Sequence, residues 1–113
     1  MLIMRMHRFL ALVAFVGTAL APAMAAEADA DPAVALAERR GCFTCHDLRE
    51  PRIGPSFQAI ATAHRADPRA EARLMDKIET GGRGHWGDEY NMSPQFELRP
   101  GEAQTLVRWV LAQ

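Results

Sequence analysis

The only two cysteines of this 113-residue chain, Cys42 and Cys45, lie three positions apart and are followed at once by His46. A disulfide between such close neighbours would close a tiny loop and constrain little of the unfolded chain. The segment available for folding is shorter than the whole. Arg5, His7 and Arg8 precede an apolar run from Phe9 to Leu20, and Ala23 and Ala25 then fit the small-x-small pattern of a signal-peptidase site. The run has about 12 residues where a bilayer crossing needs about 20. The expectation is therefore a cleaved secretory signal over residues 1–25, a loose small and acidic stretch over 26–30, and one domain over 31–113. That placement implies export to the periplasm, with no stable membrane insertion after cleavage.

Removing the leader deflates the 49% hydrophobic content and takes Arg5 and Arg8 with it, while all 14 Asp+Glu remain. An acidic remainder argues against a nucleic-acid partner. The mature part is also only about 88 residues, a size that commonly requires a disulfide set, a metal or a cofactor as a staple. The two thiols must serve such a purpose by some route other than pairing with each other.

Along the mature chain the periodicity is helical. Asp31-Pro32 reads as a cap followed by proline at the first helical position, and Ala33, Leu36, Ala37 and Arg40 then keep helical spacing up to Gly41. Pro51, Gly54 and Pro55 mark a loop, after which Phe57, Ile60, Ala61 and His64 lie at i, i+3, i+4 and i+7. Asp67-Pro68 repeats the cap signal, Ala70, Leu74 and Ile78 make one face, and Gly81-Gly82 ends the run. From Gly81 to Gly101 no strand or helix period is evident, so roughly twenty residues are expected to form a loop, and loops that long are usually functional or disordered. Ala103, Leu106, Val107, Val110 and Leu111 trace a last helix, bordered by Trp109. The expectation is an all-α fold of about four short helices.

Gly41-Cys42-Phe43-Thr44-Cys45-His46 contains CxxCH, the attachment signature of c-type haem. Two thiols this close can add to the two vinyl groups along one edge of a porphyrin, and the next residue, His46, then lies under the iron. Two readings compete. A thioredoxin-like CxxC usually opens a helix in a βαβ setting, whereas this one follows a helix. A structural zinc site would need two more well-spaced ligands, and only His64 and His85 remain in the mature chain. On the opposite face of a haem, methionine would favour electron transfer and an open position would favour gas or peroxide binding. Met75 falls within a helix, as a core filler would. Met92 lies in the long loop, with Pro94 just beyond it, and is the candidate second ligand.

The chain resembles the small bacterial class I c-type cytochromes, especially the short type that includes electron donors to haem-containing nitrite reductases. The resemblance runs from Asp31 to Gln113 and rests on the CxxCH motif, Ile53-Gly54-Pro55, Gly84-x-Trp86-Gly87, Met92 and Glu102-Ala-Gln-Thr-Leu-x-x-Trp109-Val-Leu. It implies one covalent haem c on Cys42 and Cys45, wrapped by the helices, with His46 and Met92 as axial iron ligands. It further implies that the Pro55 carbonyl accepts from the His46 ring, and that Lys77, the chain's only lysine, and Trp86 contact a haem propionate. Departures from the family pattern are Ala37, where an aromatic often packs on the last helix, Arg99, where a serine commonly caps that helix, and His64, which replaces an aromatic.

The functional expectation is a periplasmic one-electron carrier, monomeric, with periplasmic redox proteins as donor and acceptor and no catalytic residues of its own. Arg39, Arg40, Arg49 and Arg52 lie near the motif in sequence and would steer such encounters. A haem c subunit of a larger periplasmic oxidoreductase and a ligand-binding haem protein are the alternatives.

Overall fold

The computed structural model describes residues 31–113; the expected leader and the segment 26–30 lie outside the described residues. Helix α1, Pro32–Arg39, starts as its sequence dictates: the Asp31 side chain accepts from the Ala33 N–H at 2.9 Å, and Pro32 occupies the first turn. It ends where Gly41 turns left-handed, at φ 71°, and that same residue opens α2, Cys42–Cys45. The cysteines thus sit in their own helical turn, which was not anticipated. Three-residue spacing puts both on one side of that turn. His46 then leaves in an extended conformation.

Helix α3, Phe57–His64, is capped by Ser56, whose Oγ accepts from the Ala59 N–H at 3.1 Å. Helix α4, Ala70–Thr80, begins two residues later than its cap signal predicts. Asp67 uses one carboxylate oxygen on the Arg69 N–H and pairs the other with Arg73, so Asp67-Pro68 forms a lead-in turn instead of the first turn of the helix.

The expected structureless loop from Gly81 to Gly101 contains an antiparallel hairpin. Its strands are β1, Gly82–Gly84, and β2, Gly87–Met92, with Gly82 opposite Met92, Gly84 opposite Gly87 and an irregular register between them. Both strands are largely exposed, so neither carries the alternating apolar pattern by which strands are recognised. Two glycines flanking a two-residue turn were the available signal. Gly81, at φ +67°, abuts the Met92 carbonyl, and a Cβ there would collide with it.

Helix α5, Glu102–Leu111, packs on α1, α3 and α4. Its N-cap is Gly101, left-handed at φ 85° and without a side chain to cap the first turn, so the cap position falls two residues beyond Arg99, where it was expected. Glu102, the first residue of the helix, accepts from the Arg99 N–H at 2.9 Å while pairing with Arg40 at 2.6 Å. At the α1–α5 crossing Leu36, Ala37 and Leu106 form the centre, and Trp109 packs against them beside the fully buried Ala37.

The Arg99 N–H and the Arg40 guanidinium hold the Glu102 carboxyl below the usual carboxylate range. Its pKa is lower folded than unfolded, so its contribution is present above the unfolded value of about 4.3 and is lost as the pH falls through the folded one. Glu102→Gln should lower the melting temperature at neutral pH and flatten the decline on acidification between about pH 5 and pH 3. Melting curves that stay parallel to the parent across that range would contradict this role.

Candidate functional site

Most large apolar side chains of this fold do not reach a dry interior. Ile60, Leu74, Ile78, Met92 and Trp109 are only half-buried, and all line one cleft of about 540 Å³. That volume falls within the roughly 300–1,000 Å³ of small-molecule sites. Every helix and the hairpin contribute to its walls. Cys42, Cys45, His46, Pro55, Lys77, Trp86 and Met92, drawn from positions fifty residues apart, all lie on its lining.

His46 is the most constrained of these. Its Nδ1 lies 2.6 Å from the Pro55 carbonyl oxygen, which can only accept, so Nδ1 carries the proton and donates. The Nε2 lone pair is left for a metal. The ring also stacks on Phe57, with centroids 5.1 Å apart and planes 25° from parallel. Phe57 meets Trp109 and Phe43 edge-on at 4.9 and 5.7 Å, which ties the imidazole to the α5 interface. This buttress was not anticipated from the sequence, where Phe57 reads simply as a core position.

Gly54 makes the arrangement possible. A Cβ there would stand 2.8 Å from His46 Cε1 and 3.3 Å from the Cys45 carbonyl oxygen. The glycine N–H also donates to that carbonyl at 2.7 Å, laying the 51–55 loop flat against the imidazole.

Cys42 and Cys45 are free and half-buried. Burial pushes the Cys42 thiol up, against smaller lowering contributions from its backbone and from Arg40. That is opposite to the thiolate stabilisation of a redox CxxC. The described residues also contain no group of three or more His, Cys, Asp or Glu able to hold a metal ion, so the zinc reading lacks donors.

The polar part of the cleft has one sign. Arg40, Arg73, Lys77 and Arg83 line it, and no Asp or Glu does. Lys77 Nζ donates to the Arg83 carbonyl at 2.7 Å and the Gly81 carbonyl at 3.2 Å, pinning the start of the hairpin to α4. An ammonium has three protons, so one is left for an acceptor in the cleft. Arg73 and Arg83 are cationic lining residues that sequence reasoning did not single out. His64 and His85 meet across the rim with ring centroids 5.4 Å apart, and Trp86 adjoins His85 at 5.3 Å. Burial and the neighbouring His85 lower the His64 pKa. Of the arginines near the motif in sequence, Arg40 is paired with Glu102 and Arg52 donates to the Phe43 carbonyl at 2.8 Å.

An apolar slot, two adjacent thiols, an imidazole with one free nitrogen and a cationic rim fit an iron porphyrin with two vinyl groups and two propionates. No protein-family model matches the chain. Over 110 residues it is 37% identical to cytochrome c-551 of Pseudomonas aeruginosa, covering 97% of this chain and 99% of that protein. It is 31% identical over 99 residues to cytochrome c-551 of Allochromatium vinosum, covering 88% and 98% respectively. Among solved structures it matches cytochrome c552 of Nitrosomonas europaea with a TM-score of 0.64 at 29% identity, over 69% of this chain and 95% of that one. The class 1 cytochrome MtoD of Sideroxydans lithotrophicus matches with the same TM-score and identity, over 74% and 95%. The chain belongs to the small bacterial class I cytochromes c. These are electron-transfer proteins, not enzymes, and their cofactor is one covalent haem c.

Gly54→Ala should force the 51–55 loop off the imidazole, at a cost of about 1–3 kcal/mol in stability. The measurement is the His46 Nδ1–H proton resonance, which should lose its protection from solvent exchange. A variant with unchanged stability and an equally protected Nδ1–H would show that close approach at Gly54 is not required.

Proposed function

We propose that the chain is a periplasmic one-electron carrier whose haem c is bound through Cys42 and Cys45 and held axially by His46 and Met92. One observation carries the ligand assignment: the Pro55 carbonyl engages His46 Nδ1 at 2.6 Å, leaving Nε2 as the coordinating nitrogen of a residue that lines the same cleft as Met92. The haem supplies a single-electron couple between ferric and ferrous iron.

The protein's own part is to hold two donors in place in both oxidation states. A ring fixed by Pro55 and stacked on Phe57 has little freedom to tilt, and a hydrogen bond to the distal nitrogen makes imidazole a better donor. Met92 ends β2, and the backbone at Gly81 lies directly against it, so the hairpin positions the thioether. Lys77 ties that hairpin to α4 and, with Trp86 on the rim, is placed to meet a propionate. His46 and Met92 together would hold the iron in both oxidation states, leaving no room for a substrate and little geometry to change on electron transfer.

Ile53, on the cleft lining, is 68% exposed, and Leu48, off it, is 42% exposed; the exposed Arg49 and Arg52 adjoin them in sequence. An apolar patch edged by cations beside the cleft suits brief encounters with periplasmic redox proteins, the charges acting mainly on association rate. Among the described residues no helix is long and apolar enough to cross a membrane. We take the carrier to act as a monomer.

Met92→Ala should open one axial position. The reduced variant is expected to bind carbon monoxide rapidly at neutral pH, where the parent resists it, and the midpoint potential should fall. An unchanged potential together with unchanged carbon monoxide reactivity would eliminate Met92 as a ligand and with it the six-coordinate carrier.

A further inference from the structure

A second, smaller cavity of about 230 Å³ lies where the end of α1 meets the turn before α5, lined by Arg39, Arg40, Arg99 and Glu102. Three arginines and one glutamate form its lining. The carboxylate is already committed: Glu102 Oε2 accepts from Arg40 Nη2 at 2.6 Å and from the Arg99 N–H at 2.9 Å. Among the described residues, the side chains of Arg39 and Arg99 have no hydrogen bond or ion pair. Like charges around one small cavity repel, and among the described residues its lining holds no second carboxylate to offset them.

We propose that this notch is a binding site for a free divalent tetrahedral oxyanion, of which sulfate and hydrogen phosphate are the common forms. The charge matches, since three cations and one anion leave an excess that a dianion neutralises. The shape matches as well. Guanidinium is a planar fork that grips two oxygens at once, and a tetrahedral anion presents oxygen pairs in several directions, so more than one arginine can engage it. Arg40 is fixed in place by Glu102, giving the notch one rigid wall, while Arg39 and Arg99 are exposed and able to close from either side. The site is separate from the cysteine-bearing cleft but shares Arg40 with it.

Arg99 meets the notch in two ways. Its backbone N–H donates to Glu102, and it adds a third arginine to the lining of the notch.

The test is a titration of the intact exported protein with sodium sulfate, ionic strength held constant with sodium chloride, followed through the arginine side-chain Nε–H resonances. Saturable shifts confined to Arg39, Arg40 and Arg99 are expected, with affinity reduced about tenfold in Arg99→Gln, the loss of one charge-assisted hydrogen bond. Arg39→Gln should weaken binding similarly, and Arg65→Gln, on the far end of α3, should leave it unchanged. Shifts that grow without saturation and match those from chloride alone would overturn the site, as would equal affinity in the parent and both notch variants.

Discussion

The arrangement depends on an interior that the polypeptide does not fill. The buried apolar residues are Ala33, Leu36, Ala37, Phe57, Ala61, Ala70, Ala103, Leu106, Val107 and Val110, half of them alanine, and the largest fully buried side chain is Val107. Alanine brings helix backbones close together but offers little apolar surface of its own. The larger side chains instead surround a shared cleft, where they bury each other only in part. A flat apolar group seated there would turn a rim into a core, and in a chain this short that is the missing staple.

Iron chemistry and folding therefore draw on the same few contacts. The loop that ends at Pro55 is a structural connection between α2 and α3, yet its carbonyl sets the tautomer of His46 and its glycine allows the close approach. Phe57 caps no site by itself, but by stacking on the imidazole and meeting Trp109 it couples ring orientation to the packing of α5. On the other side, Lys77 and Gly81 fix the base of the hairpin whose second strand ends at Met92. The two halves are joined through α4 and α5, so the cleft width follows from helix packing.

Much of this was legible in the residues. The helices announce themselves through Asp31-Pro32, the spacing of Phe57, Ile60, Ala61 and His64, and the apolar stripe of α5, because caps and 3.6-residue periodicity are local properties of the sequence. All seven expected site residues line one cleft, since CxxCH carries three functional groups in five residues and a loop methionine has few packing reasons to be there. The hairpin was not legible: its side chains are mostly exposed and its pairing is held by backbone bonds, which leave no period-two signature. The late start of α4 was hidden for a related reason, because Asp67 can cap a turn or a helix and only the Arg73 contact distinguishes them. Stacking of Phe57 on His46, and the gathering of Arg39, Arg40 and Arg99, are tertiary facts that no spacing encodes.

The most direct measurement is tandem mass spectrometry of the protein isolated natively from the exporting cell. A haem-completed core predicts that the peptide spanning Gly41 to His46 carries one porphyrin joined through both sulfurs, with the group retained after acidic acetone extraction. A folded, exported protein in which Cys42 and Cys45 are unmodified thiols would contradict the account.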